Sequence, residues 1–264
     1  MRLAGSLNDI TEMKKSNQER EELIASLKKS NDELDNFAYV ASHDLKAPLR
    51  VIENVSHWLE EDLAESIDEE SKENLQLLRS RVNRMDALLD DLLAYSRIGR
   101  KVDSGYTEFL TGDELLKDIT LLVDKPDEFS LTASPEFLSV KFNKMPLRLI
   151  LLNLVSNAIK HHDEKTGTID ISLEETTEHY LIKVADDGPG IEDTYHQKIF
   201  KMFQTLQPRD RVEGSGMGLA IVRKHIELLG GSITLEPHSG RGSVFCISLP
   251  KNQVEKIKQM QELN

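Results

Sequence analysis

Cysteine is almost missing from this chain: Cys246 is the only one. A single thiol cannot close an internal disulfide, so a reducing, cytoplasmic setting is the expectation. No run of about 18 apolar residues occurs, which argues against a membrane-inserted helix. The start Met-Arg-Leu-Ala-Gly lacks the apolar stretch of a signal peptide. Basic charge is also short. Against 46 Asp and Glu stand 33 Lys and Arg, leaving a net charge of −13. A phosphate backbone needs a basic surface, so nucleic acid is not an expected partner. Glycine is absent from residues 12–62, which favours unbroken helix there.

What is present begins with helical periodicity. In residues 12–62 the apolar positions Leu23, Leu27, Leu34, Phe37, Ala41, Ile52, Val55 and Leu59 fall mostly three and four apart. Pro48 lies inside this pattern and is expected to kink the helix. Residues 60–73 are strongly acidic, read either as a solvated hairpin tip or as charge suited to the next helix N-terminus. A second helix is expected over about 70–98. Its seam of Leu75, Leu78, Val82, Met85, Leu89 and Leu92 is a sustained heptad, widened by Leu88 and Leu93. One hairpin cannot cover such stripes on both helices, whereas two packed as a four-helix bundle can, which predicts a homodimer.

Gly99 and Gly105 bracket a polar break, and the pattern then changes. Strand-like runs occur at 129–133, 138–142, 168–174, 180–185, 232–236 and 243–249, and helical runs at 112–123, 146–161 and 218–229. This mixture predicts a sheet with helices on one face. The expected organisation is a tail at 1–11, a coiled-coil linker and helical hairpin at 12–100, an α+β domain at 101–250 and a polar tail at 251–264.

The chemistry-bearing residues fall into four groups. His43, in the run Ser42-His43-Asp44-Leu45-Lys46-Ala47-Pro48-Leu49, is about 200° around the helix from both Ala41 and Leu45, so it points to solvent. Asp44 could take or orient the Nδ1 proton and leave Nε2 as a nucleophile. Asn153, Asn157 and Lys160 share one helix face, opposite Ile150, Leu151, Leu154 and Ala158. They read as a pocket wall, with an amide oxygen acceptable to Mg²⁺, or simply as an exposed face. Asp186-Asp187-Gly188-Pro189-Gly190 ends an apolar strand. It reads as a base-binding carboxylate with close backbone approach, or as an ordinary Asp-Gly turn. Gly214-Ser215-Gly216-Met217-Gly218-Leu219 opens a helix and suits an anion, although no Gly-Lys-Ser/Thr follows. The preceding stretch 204–213, with Arg209 and Arg211, reads as a lid over phosphates or as a solvated loop.

In this order these residues resemble the transmitter module of bacterial sensor histidine kinases. The His43 run looks like the H box, Asn153–Lys160 the N box, Asp186–Gly190 the G1 box, Ile199–Phe203 the F box and Gly214–Gly218 the G2 box. The wording around His43 and Phe203 is most like kinases coupled to phytochrome or PAS-type sensors, and Gly5–Glu12 looks like the end of a PAS domain, implying an upstream sensor missing from this chain. The resemblance implies a dimeric four-helix bundle followed by an α+β sandwich ATP-binding domain of the Bergerat/GHKL type. It implies ATP and Mg²⁺ as cofactors and a response-regulator receiver domain as partner. It assigns His43 and Asp44 to catalysis. It assigns Asn153, Asn157, Lys160, His161, Asp186, Gly188, Gly190, Ile191, Phe200, Phe203, Arg209, Arg211, Gly214, Ser215, Gly216, Met217, Gly218 and Leu219 to nucleotide binding, with Asn157 on the metal. Two positions depart from relatives. Asn153 replaces a water-activating glutamate of related ATPases, and Ala47 replaces the Thr or Asn of phosphatase-competent kinases, which implies weak phosphatase activity. Rival readings are a hydroxyl-directed kinase or clamp-type ATPase of the same fold, and a degenerate kinase acting as a scaffold.

Overall fold

The computed structural model describes residues 11–63, 66–99, 108–205, 215–236 and 240–251. The expected tails at 1–11 and 251–264 and the break near Gly105 lie almost wholly outside them.

Two long helices come first, α1 (Thr11–Asp62) and α2 (Glu69–Arg97). Helix α1 runs on through Pro48. Asp68 caps α2 by accepting a 2.8 Å bond from the Ser71 amide, with Glu69 and Glu70 in the first turn. Part of the acidic run therefore serves the helix terminus, a cap worth about 1 kcal/mol.

Within the hairpin the contact between α1 and α2 is partly polar, and part of the apolar stripes stays open, as expected of a single hairpin. Ser42, Leu49 and Ser56 are buried on α1, with Lys46 and Glu60 half-buried along the same stripe. Lys46 pairs with Asp90 and reaches Asp86 at 3.9 Å, and Glu60 pairs with Arg79. Leu49 and Val82 are the buried hydrophobics among the described residues of this hairpin. Ile52, Val55 and Leu59 instead stay 40–44% exposed, as do Leu78 at 39% and Met85 at 49%. Periodicity located the apolar stripe, of which Val82 is buried and Leu75, Leu89 and Leu92 are half-buried, and polar side chains with long stems share the contact. The side chains of Leu27, Leu34, Phe37 and Ala41 lie outside the described residues.

The second half is a layered α+β unit. Strand β1 (Phe109–Thr111) leads into α3 (Gly112–Leu122), which Thr111 and Glu114 start with a capping box. Then follow β2 (Phe129–Ala133), α4 (Pro135–Ser139), β3 (Lys141–Asn143), α5 (Lys144–Lys160), β4 (Gly167–Glu175) and β5 (His179–Asp186). A 3₁₀ turn at Asp193–Tyr195, α6 (Gly218–Leu228), β6 (Ser232–Glu236) and β7 (Ser243–Pro250) complete it. The strand expected at 138–142 is shorter. Ser134 caps and Pro135 opens α4, whose last residues are Leu138 and Ser139, leaving only 141–143 to pair with β1.

The main sheet has the order β2-β4-β5-β7-β6, with β2 parallel to β4 and the other pairs antiparallel. Along β4, buried Ile169, Ile171 and Leu173 alternate with exposed or half-exposed residues, so one sheet face carries the core. Leu115 and Ile119 of α3, Ile150, Leu151 and Leu154 of α5, and Val222 and Ile226 of α6 pack on it. The expected helix-covered sheet is thus present.

His225 of α6 is buried in this layer, 5% exposed. Burial, and then the charge of Lys224, hold its imidazole down at about 4. The unfolded chain takes up that proton near pH 6.5. The group's contribution is therefore complete above about pH 6.5 and is lost as pH falls from there toward 4. We expect the unfolding free energy to drop by about 3 kcal/mol across that interval, and His225→Gln to flatten this part of the profile. Urea titrations at several pH values check it, and parallel profiles for the two proteins would contradict it.

Candidate active site

Helix α5 builds the first wall. Its buried back fixes the roll of the helix, so Asn153, Asn157 and Lys160 face a cavity of about 550 Å³. Asn153 is held in place. Its Nδ2 donates to the Leu149 carbonyl at 3.0 Å, and a Cβ on Gly218 would lie 2.7 Å from its Oδ1. Gly218 therefore lets the N-terminus of α6 close on α5. Ala158, expected on the buried back, also lines the cavity.

The second wall is the end of β5. Asp186 lies opposite Ser243 of β7 and faces the cavity. Burial raises its carboxyl above the usual range, opposed by backbone amides of Gly188 and Ser243. The Gly188 amide donates to Oδ1 at 3.0 Å. The next residue has a different task. Asp187 accepts from the Thr168 amide at 2.7 Å and hydroxyl at 2.8 Å, and meets His162 Nε2 at 3.1 Å. Burial pushes its carboxyl up, but these partners prevail and hold it at about 2. Asp187 is thus tied to the start of β4, while Asp186 presents its carboxylate to the cavity.

Glycine packing shapes the rest. Gly242 has φ +100°, and a Cβ there would lie 1.9 Å from the Asp186 carbonyl oxygen. Gly190, at φ +79°, packs in turn against the Gly242 carbonyl. Gly216, at φ +71°, packs on the Gln204 backbone, next to Phe203 with its own φ of 63°.

Of the expected residues, Asn153, Asn157, Lys160, His161, Asp186, Gly190, Ile191, Ser215, Gly216, Gly218 and Leu219 line the cavity. Partial desolvation, then Lys160, lower the His161 imidazole. Gly188, Phe200, Phe203 and Met217 are not in the lining. Phe200 is buried against Phe245 with ring centroids 6.3 Å apart, and Met217 is fully buried. Phe200 and Met217 thus sit behind the wall, whereas Phe203 is 44% exposed. Arg209, Arg211 and Gly214 lie outside the described residues. Ile199 and Gln204, from the expected F box and the stretch after it, also line the cavity, whereas sequence reasoning passed over Ser243 and Gly242, although Gly240-Arg241-Gly242 before a strand was a legible turn signal. It also passed over Ala87 and Asp91 of α2, which line the same cavity from the helical hairpin. No local pattern announces a contact between elements so far apart in the chain.

His43 sits apart from this lining. Its side chain is 76% exposed, and its Nδ1 meets Asp44 Oδ1 at 3.2 Å. Ring nitrogen Nδ1 is thereby engaged and the ring open to solvent, as the sequence led one to expect.

Two family models match the chain. Residues 33–101 match the His Kinase A (phospho-acceptor) domain, and 143–253 the histidine kinase-, DNA gyrase B-, and HSP90-like ATPase. The chain belongs to the sensor histidine kinases, as a transmitter module. It is 33% identical to the phytochrome-like protein Cph1 of Synechocystis over 88% of this chain, and 36% identical to cyanobacterial phytochrome A of Nostoc over 90%. It spans 31% of the length of each of those relatives. Among solved structures, full-length ShkA in complex with AMPPNP matches with a TM-score of 0.60 at 24% identity, covering 81% of this chain and 45% of that one. ThkA in complex with the response regulator TrrA matches at 0.54 and 23%, covering 95% and 70%. These two likenesses concern the fold.

A kinase site built on close backbone packing should be intolerant of a methyl group. Gly242→Ala is expected to weaken binding of an ATP analogue about tenfold or more, since strain at such a position costs on the order of 1–3 kcal/mol. A fluorescent-nucleotide titration checks this, and unchanged affinity in a folded variant would contradict it.

Proposed function

We propose that the chain catalyses ATP-dependent autophosphorylation of His43 and then passes the phosphoryl group to an aspartate of a response-regulator receiver domain. The observation that carries this reading is the pairing, in one polypeptide, of a solvent-facing histidine braced by Asp44 with a cavity of nucleotide size lined by Asn157, Lys160, Asp186, Gly216 and Gly218. The complex of ThkA with TrrA supports the partner class, and the AMPPNP complex of ShkA supports the donor.

Each residue has a role in this scheme. The desolvated carboxylate of Asp186 accepts a hydrogen bond from the adenine amine. Lys160 and the amides at the start of α6 neutralise phosphate charge. The described residues hold no cluster of three or more His, Cys, Asp or Glu fit for a metal. Mg²⁺ would therefore be held by the Asn157 amide oxygen together with phosphates and water. Gly188, Ile191, Leu219 and His161 shape the base and ribose end, and Phe200 and Met217 brace it; Arg209, Arg211 and Gly214, expected to serve the phosphates, lie outside the described residues. Nε2 of His43 attacks the γ-phosphorus as the bond to the bridging β–γ oxygen breaks and ADP leaves. Asp44 takes the growing positive charge on Nδ1–H. Such a reaction needs mainly alignment and charge neutralisation.

Asn153 cannot act as a general base, so water competes poorly for the γ-phosphoryl group. Ala47, one turn after His43, offers no group to position water against an acyl phosphate, so phosphatase activity toward the partner is weak in this scheme. The apolar faces left open by the hairpin, including Ile52, Val55, Leu59 and Met85, support a homodimer. No described helix is long and apolar enough to cross a membrane.

The test is incubation with γ-labelled Mg·ATP. The expected label is acid-labile and alkali-stable, and absent from His43→Gln and Asn157→Ala. Acid-stable label surviving in His43→Gln would point to a hydroxyl-directed kinase, and measurable ATP binding without any label would point to a scaffold.

A further inference from the structure

The nucleotide cavity has a wall that does not come from its own domain. Ala87 and Asp91 of α2 line it alongside Ser215, Gly216, Gly218 and Leu219. The register of the two helices explains why. Lys224 of α6 donates to the Tyr95 carbonyl of α2 at 2.8 Å, and its Nζ lies 4.0 Å from the Tyr95 ring centre. Four residues further along the chain from each, just past the end of α2, a methyl group at Gly99 would touch Leu228, the last residue of α6, at 3.5 Å. The helices therefore run alongside one another in the same direction. Four residues back from the Lys224–Tyr95 contact, Asp91 lines the cavity together with Gly218 and Leu219 of the first turn of α6.

That turn is the end of the cavity suited to anions, because its backbone amides have no partner within the helix. Asp91 brings the opposite chemistry to the same place. Its neighbours Asp86 and Asp90 both reach Lys46, whereas among the described residues no cation pairs with Asp91. A carboxylate beside a phosphate subsite repels in proportion to the charge it meets.

We infer that Asp91 of α2 is a specificity-determining residue of the nucleotide site, which discriminates against ATP relative to ADP while α2 is docked on α6. This rests on the nucleotide reading of the site given above. Binding of the triphosphate and docking of α2 then oppose each other through one coupling energy, as linkage requires. ATP favours release of the catalytic domain from α2 and frees it to approach His43. ADP, carrying less charge, is compatible with the docked arrangement. The Lys224–Tyr95 clamp sets how strongly ATP must compete.

Isothermal titration calorimetry with Mg·ATP and with Mg·ADP tests this on the whole chain. Asp91→Asn is expected to tighten ATP about threefold to tenfold and ADP distinctly less, so that the ratio of the two dissociation constants falls. Asp91→Glu, which keeps the charge, retains the wild-type ratio. Lys224→Ala, which loosens the clamp, tightens ATP in the wild-type background but adds little to Asp91→Asn. The wild-type ratio also moves toward that of Asp91→Asn as salt is raised. An unchanged ATP-to-ADP ratio in Asp91→Asn overturns the inference while leaving the nucleotide reading intact. Equal losses of both nucleotides in Asp91→Asn and Asp91→Glu reveal a purely structural role and overturn it too. Failure of the wild-type chain to bind either nucleotide overturns the site reading and this inference together.

Discussion

The burial of one face of α5 is the constraint on which the site depends. Ile150, Leu151 and Leu154 are each at most 1% exposed against the sheet, so the helix has no freedom to roll. Its other face is thereby committed to the cavity, and Asn153, Asn157 and Lys160 are carried there together. The close approach of α6 follows, because Gly218 lies against the Asn153 amide. Packing density thus fixes the position of polar groups that have few contacts of their own. The same beam gives rigidity where the chemistry requires alignment.

Electrostatics in the cavity is sparse, and each charge counts for more as a result. Two adjacent aspartates illustrate how environment divides labour between identical side chains. Asp187 is saturated with donors and stays ionised to low pH as a brace between β5 and β4. Asp186 is desolvated, with its carboxylate turned to the cavity. Against them stand Lys160 and the first turn of α6. A third carboxylate, Asp91, arrives from the helical hairpin and makes the balance depend on how the two halves of the chain are docked.

Much of this was legible in the sequence, for identifiable reasons. The helices announced themselves by spacing, and the strands by alternation that the one-sided sheet preserves. The polar face of α5 and the glycines at 190, 216 and 218 were readable because helix geometry and left-handed backbone leave local signatures. What stayed hidden depends on distant partners. The contact between α1 and α2 adds Lys46, Glu60 and Arg79 to Leu49 and Val82, since which side chains face inward is set by the neighbouring helix. Phe200 and Met217 sit in apolar layers behind the cavity although their motifs adjoin the ligand. Ala87 and Asp91 have no motif at all.

A phosphoryl group bound for another protein must rest on an atom that is exposed, nucleophilic and held in one tautomer. In the proposed reaction His43, whose Nδ1 meets Asp44 Oδ1 at 3.2 Å, would offer Nε2 as that atom. The most direct test is nitrogen and phosphorus NMR of the chain after reaction with Mg·ATP, with histidines labelled and His43 assigned by substitution. The account predicts one phosphohistidine, at His43, with phosphorus on Nε2. Phosphorus on Nδ1, or on any other residue, would contradict it.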